Sequence, residues 1–210
     1  MNSRTLFIAR HGETGFNKNK LLQGRGINAS LNQTGEEQAD LLSGYLSGYP
    51  VDYISGSSLR RSLQTAGYLA REMNLNVHSD PDLDEMDFGD FEGKHFSEVE
   101  KELKDLQKRW KNGETDLRIP GGESPEDVFK RVYGKMNTIL RTNGHSCMVF
   151  VLHGRLIRIL LAGWLGYGLQ NMDRIAHQNG SVNKLFINSD LSLKIGYLNK
   201  INHLSKFVVS

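Results

Sequence analysis

Two short apolar runs, far apart in the chain, end in the same dipeptide. Leu6-Phe7-Ile8-Ala9 leads into Arg10-His11-Gly12, and Cys147-Met148-Val149-Phe150-Val151-Leu152 leads into His153-Gly154. Apolar runs of this length, bounded by turn residues, read as buried strands. In an open α/β sheet, ligands bind beyond the carboxyl ends of the strands. If the two strands are parallel neighbours, His11 and His153 meet at one edge of the sheet. Glycine after the histidine lets the backbone turn sharply and come close to a ligand. Arginine beside histidine at such a point suggests a positive pocket for an anion, with an imidazole able to act as nucleophile or base. Spacing alone gives an anion site with two histidines.

The chain between them alternates strands and helices. Gly15 to Gly26 lacks periodicity and reads as a long loop leaving the pocket. Thr34 with Glu37 forms a capping box for a helix whose apolar face holds Gln38, Leu42, Tyr45 and Leu46, ended by Gly48 and Pro50. Val51 to Ser55 alternates as a strand. Ser57 or Ser58 caps a helix with Leu59, Leu63, Ala66, Leu69, Ala70 and Met73 facing the sheet, and Asn76 to His78 is a further strand. Pro81 to Gly93 is loop, followed by a charged helix to about Trp110 and a polar loop to Gly122. Ser124-Pro125-Glu126-Asp127 starts a helix with the stripe Val128, Val132, Met136 and Ile139. An apolar helix from Leu156 to Leu165 and two strands, Ser181–Ile187 and Leu191–Leu198, complete the chain. This order predicts an α/β sandwich, one domain over residues 1–210 with a loop and helical cap at about 85–122.

Net charge is +2, from 26 basic and 24 acidic residues, so bulk charge points to neither nucleic acid nor membrane, and preference for acidic ligands must come from grouped arginines. Cys147 is the only cysteine, which excludes an internal disulfide and a cysteine-rich metal site. No apolar run approaches the roughly 20 residues needed to span a bilayer, and the first is too short for a signal peptide. A cytoplasmic location is the expectation.

Arg10-His11-Gly12 resembles the signature of the histidine phosphatase superfamily, the phosphoglycerate-mutase-like enzymes. Further matches follow in the family's order. Arg61-Ser62-Leu63-Gln64-Thr65-Ala66 is similar to its Arg-Ala-x-Gln-Thr-Ala element, Leu83 to Gly93 to its Leu-x-Glu segment, and Pro120-Gly121-Gly122-Glu123-Ser124 to a further recurring element. The resemblance spans about Leu6 to Val182. It implies a three-layer α/β/α sandwich with a mostly parallel central sheet. It also implies roles: His11 as nucleophile forming a phosphohistidine, Glu85 as general acid and base, and Arg10, Arg61 and His153 as the phosphate clamp. Asn17, Gln23, Gly24 and Gly154 complete the phosphate or substrate pocket. No metal and no cofactor are expected, because two arginines beside the histidines repel a cation.

Competing readings sit beside several of these. Arg60 rivals Arg61 for the inward position, and Asp82, Asp84, Asp87 and Asp90 rival Glu85. His177 reads equally well as a loop residue, and His78, His95, His145 and His203 as surface or packing residues. Longer mutases of the family carry an insertion before the segment matching Gly121 to Ser124, and usually Asn where this chain has Arg155. The short phosphatase branch therefore fits better, acting on a small phosphorylated metabolite. A mutase and a non-catalytic phosphate-binding module are the alternatives. Specificity is expected from loops 18–28, 88–96 and 116–122, with Lys20, Arg25, Lys94 and Arg118 as anion contacts. Asn28, Ser30 and Phe16 depart from the family's common Asp, Pro and Trp. A homodimer is compatible with the sequence but not required by it.

Overall fold

The computed structural model describes residues 4–142 and 144–207. Strand β1 (Arg4–Arg10) is followed by a single helical turn, α1 (Gly15–Lys18), and then by α2 (Gln33–Leu46). Next come β2 (Tyr53–Ser57), α3 (Arg60–Met73) and β3 (Val77–Asp80). Short 3-10 turns lead to α4 (Glu100–Lys111) and α5 (Pro125–Thr142). The chain closes with β4 (Cys147–Leu152), α6 (Gly154–Trp164), β5 (Val182–Ile187) and β6 (Leu193–Lys200). The strands form one mixed sheet of order β3-β2-β4-β1-β5-β6, in which β3, β2, β4 and β1 run parallel and β5 antiparallel to β1.

The sheet is central because its middle strands are apolar on both sides. Side chains alternate across a strand. Leu6 and Ile8 of β1, with Met148, Phe150 and Leu152 of β4, join one core, shared with α5 and α6. Phe7 and Ala9, with Val149 and Val151, join the opposite core, shared with α2 and α3. Every residue of β4 is buried, and a fully buried Val, Leu or Phe side chain contributes about 2 kcal/mol. This is the three-layer α/β arrangement expected from the sequence. No helix among the described residues is long and apolar enough to cross a membrane.

The start of α5 agrees with the sequence pattern. Ser124 caps α5: its Oγ accepts from Asp127 N at 3.1 Å, and Asp127 Oδ2 accepts from Ser124 N at 3.0 Å. Elsewhere tertiary contacts overrule the sequence pattern. The N-cap of α2 is Asn32, not Thr34; its Oδ1 accepts from Gly35 N at 2.8 Å while its Nδ2 donates to Glu13 Oε1 at 2.7 Å. Leu59 is the N-cap of α3 and has no side-chain cap. The hydroxyls of Ser57 and Ser58 instead donate to Asp84, at 2.7 and 2.9 Å. Of the predicted stripe on α3, Leu59, Ala66 and Leu69 are buried, but Leu63 is 36% exposed, and the helix also buries Arg61, Ser62 and Thr65. The predicted loop 15–26 begins as helix α1, capped by Thr14.

The turn after β1 crosses the start of α2 backbone against backbone. A Cβ on Gly12 would overlap the Gly35 carbonyl, and one on Gly35 would overlap the carbonyl of Glu13. Only two glycines permit this approach.

Candidate active site

Parallel pairing sets Arg10 opposite Leu152, so β1 and β4 end level and release their histidines side by side. The His11 and His153 rings lie 5.1 Å apart, centroid to centroid. The His11 turn is pinned by several bonds. Its N–H donates to Leu152 O at 3.0 Å, Gly12 N–H to Thr65 Oγ1 at 3.1 Å, and Asn179 Nδ2 to His11 O at 3.2 Å.

The hydrogen bonds decide both tautomers. His11 Nδ1 lies 2.7 Å from Gly12 O. A carbonyl only accepts, so Nδ1 carries the proton and Nε2 presents a bare lone pair. Arg61 Nε donates to His153 Nδ1 at 3.2 Å, so the proton of His153 sits on Nε2. That N–H is buried and has no partner among the described residues, and neither has Arg10 Nε. Two buried donors therefore await an acceptor beside one bare nitrogen.

The surrounding charge keeps both rings neutral. Burial, then the cations Arg61 and Arg10, hold His11 well below the ordinary histidine range. Burial, followed by Arg61, does the same to His153. Arg10 and Arg61 are themselves lowered to about 10 by burial, which leaves them charged at neutral pH. His177 is lowered to about 3 by burial, followed by Arg10 and Arg158.

These shifts carry a sign. Below about pH 6.5 the unfolded chain takes up three protons that the folded site refuses, so stability is present above that pH and lost as pH falls. With no phosphate bound, each of the three histidines should cost about 1 kcal/mol between pH 6.5 and 5.5, for a total of about 3 kcal/mol. Urea unfolding at the two pH values measures this. Equal midpoints would show that the rings are not held neutral.

Arg61, not Arg60, points inward and is fully buried. Besides His153 it donates to Ile27 O at 2.6 Å and to Gly24 O at 3.1 Å. Three of its five N–H donors are thus committed to the protein, and two are left. Gly24 contributes its carbonyl to this anchorage. Glu85 is 5% exposed and sits at the start of α6. Its Oε1 accepts from Leu156 N at 2.8 Å and Met86 N at 2.9 Å, and its Oε2 from Arg155 N at 3.1 Å. Two of the rival carboxylates are engaged elsewhere: Asp84 with Ser57 and Ser58, and Asp87 with Gly89 N.

Asn17 and Gln23 show one pattern. Asn17 Oδ1 accepts from Asn179 Nδ2 at 3.1 Å and lies 3.1 Å from Thr14 Oγ1, while Gln23 Oε1 lies 3.2 Å from the same hydroxyl. Both amides thus turn their oxygens to the protein and keep their N–H₂ groups as donors. Gly154 opens α6 against the Arg10 guanidinium, where a Cβ would stand 3.0 Å from Arg10 Cζ. A cavity of about 370 Å³ is lined by Arg10, His11, Asn17, Gln23, Glu85 and Gly154. A larger groove of about 580 Å³, around Tyr167, Arg174 and Leu198, contains none of these groups.

Sequence reasoning missed Arg155 and Arg158 as contributors and left His177 undecided. Arg155 and Arg158, three apart on α6, both line the cavity. Their spacing on one helix face was the available signal. His177 is buried, accepts from Asn183 Nδ2 at 3.0 Å on its Nε2, and offers its backbone oxygen to Arg10 Nη1 at 3.1 Å. The basic residues expected to face a ligand divide. Lys20 lines an adjoining hollow with Arg10 and Asn17, whereas Arg118 pairs with Asp127 at 2.9 Å and Arg25 donates to Pro81 O at 3.0 Å. The remaining histidines pack or cap: His78 and His145 stack on Tyr53, His203 stacks on Tyr45, and His95 caps a 3-10 turn.

Comparison with known proteins agrees with this arrangement. The model of the histidine phosphatase superfamily, branch 1, matches residues 6–193. A protein of Hydrogenobacter thermophilus named "Putative phosphoserine phosphatase 2" is 29% identical over 95% of this chain and 97% of its own. A "Probable phosphoglycerate mutase" of Cronobacter sakazakii is 30% identical over 86% of this chain and 83% of its own. Among solved structures, a mycobacterial glucosyl-3-phosphoglycerate phosphatase in complex with VO3 superposes with a TM-score of 0.84 at 26% identity, covering 93% of this chain and 98% of its own.

Proposed function

Because this chain belongs to the histidine phosphatase superfamily, we propose that it is a metal-independent phosphatase that hydrolyses small phosphomonoesters through a phosphohistidine. The observation that carries the reading is the trio of bare His11 Nε2, unpartnered His153 Nε2–H and unpartnered Arg10 Nε–H. A phosphoryl group needs a nucleophile in line and donors around its equatorial oxygens, and catalysis of its transfer is mainly positioning and charge stabilisation.

His11 Nε2 attacks phosphorus as the bond to the ester oxygen breaks, and Glu85 delivers a proton to that oxygen. Water then attacks the phosphohistidine, Glu85 takes its proton, the P–N bond breaks and phosphate leaves. Arg10, the two remaining donors of Arg61 and His153 Nε2–H hold the equatorial oxygens, with the amides of Asn17 and Gln23 at the rim. His153 serves as a neutral donor, because its Nδ1 already accepts from Arg61. Residues 1–210 work as one domain, with about 85–122 as the cap that carries Glu85.

The relative named a phosphoglycerate mutase supports a second reading, in which the phosphoryl group returns to another substrate oxygen. One assay tests both. Phosphate release from p-nitrophenyl phosphate is followed with EDTA present, and the quenched protein is examined for an acid-labile, base-stable phosphohistidine. Release that survives EDTA together with that adduct is the expected result. Turnover appearing only with a bisphosphoglycerate primer would establish the mutase, and turnover lost to EDTA would sink the metal-free mechanism.

A further inference from the structure

We propose that Arg158, with Arg155 beside it, forms a second anion subsite in the cavity of His11, so that the preferred substrate is a phosphomonoester whose other half carries a carboxylate or a second phosphoryl group. This rests on the phosphatase reading above and names the substrate class for it.

Arg158 lines the same cavity as His11 and Glu85. Its side chain is 31% exposed, yet it makes no hydrogen bond to any described residue. A guanidinium carries five N–H donors in a planar fork that matches carboxylate and phosphate oxygens. Its one salt-bridge partner is Asp173 Oδ1 at 3.8 Å, and that oxygen is already held by Arg155 Nη1 at 2.7 Å, while the Glu85 carboxylate acts on it from farther off. Two guanidiniums thus share one carboxylate, and a net positive charge remains at the cavity wall. Burial, followed by the neighbouring Arg155, lowers the pKa of Arg158 despite the opposing pull of Asp173 and Glu85.

Position adds to charge. Arg158 lies one turn along α6 from Arg155, whose backbone N–H binds Glu85. The subsite is therefore tied to the element that positions the proposed acid. Leu21, Leu22, Phe88 and Phe96 also line the cavity and give an apolar bed for a short carbon skeleton. At about 370 Å³ the space suits a small metabolite with an anion at each end.

The test compares kcat/KM for 3-phosphoglycerate, fructose 1,6-bisphosphate and glycerol 3-phosphate in the wild type, Arg158→Met and Arg158→Lys. The wild type should favour an ester with a second anion over glycerol 3-phosphate, and Arg158→Met should lower that preference about 10- to 100-fold, the scale of one charged hydrogen-bonded contact. Arg158→Lys, keeping charge without the fork, should recover part of it. The compound whose advantage collapses distinguishes carboxylate from second phosphoryl group. A preference left unchanged in Arg158→Met, whether all rates fall together or none does, would overturn the proposal. If the wild type hydrolyses none of the three and releases no phosphate from p-nitrophenyl phosphate either, the phosphatase reading fails by itself. Calorimetric titration with the same compounds then decides the subsite: equal affinities of wild type and Arg158→Met for both acidic compounds reject it.

Discussion

Replacing His11 with alanine is expected to lower kcat at least about 10⁴-fold, the scale set by removal of a covalent nucleophile. The side chain is 1% exposed and spends its only hydrogen bond on Gly12 O, which fixes Nε2 toward the cavity. No other described imidazole there offers a free lone pair, because Nδ1 of His153 accepts from Arg61 and Nε2 of His177 accepts from Asn183. The variant should also lack the phosphohistidine. Its stability should fall less on acidification than that of the wild type, since one of three proton-refusing rings is gone. Steady-state turnover of p-nitrophenyl phosphate, beside urea unfolding at two pH values, checks both halves. A variant retaining a tenth of the activity would exclude His11 as nucleophile.

Arg61→Met is expected to damage stability and turnover together. The arginine satisfies Gly24 O, Ile27 O and His153 Nδ1 in one buried fan. Methionine fills much of the volume but leaves these acceptors unpaired, at a cost of about 2–4 kcal/mol after partial relaxation. His153 is then free to change tautomer, and one source of transition-state charge compensation is lost. Removal of an arginine from a phosphoryl site points to a fall in kcat/KM of about 10³-fold. Arg61→Lys should rescue little, because a single ammonium cannot span three separated acceptors. Urea midpoints together with kcat/KM are the measurement. An Arg61→Met protein as stable as wild type would show that the fan is not a structural anchor.

The parts of the fold legible in the sequence are those decided by short-range chemistry. Strand β4 was read to the residue because six consecutive buried side chains leave no alternative register. Helix α5 was read from Ser124 because its capping partner is three residues away. Asn32 was overlooked as a cap in favour of Thr34, and what selects it is a bond to Glu13, 19 residues earlier. The cap of α3 was misread because Asp84, 26 residues from Ser58, claims that hydroxyl. Leu63 fits the helical apolar stripe, yet α3 leaves it exposed and buries Arg61 and Thr65 beside Ala66 and Leu69, since the two polar residues serve the loop and the turn around the histidines.

The candidate site divides in the same way. Arg10, His11 and His153 follow from strand ends, which sequence reveals well. Arg158 escaped notice because an arginine on an apolar helix ordinarily extends to water. Only the packing shows that Asp173 is shared and the cavity is near.

The seam between Gly12 and Gly35 divides what this architecture can vary from what it cannot. At that seam the His11 turn rests directly on the backbone of α2, with no side chain between the two glycines to trim, enlarge or recharge. Substitution there does not retune the chemistry; it dislodges it. The cavity is lined besides by Leu21, Leu22, Phe88, Phe96, Arg155 and Arg158, residues whose side chains can be exchanged. A scaffold so divided can acquire a new substrate by exchanging cavity-lining side chains while His11 keeps its place. Efforts to redirect this protein should begin with those side chains.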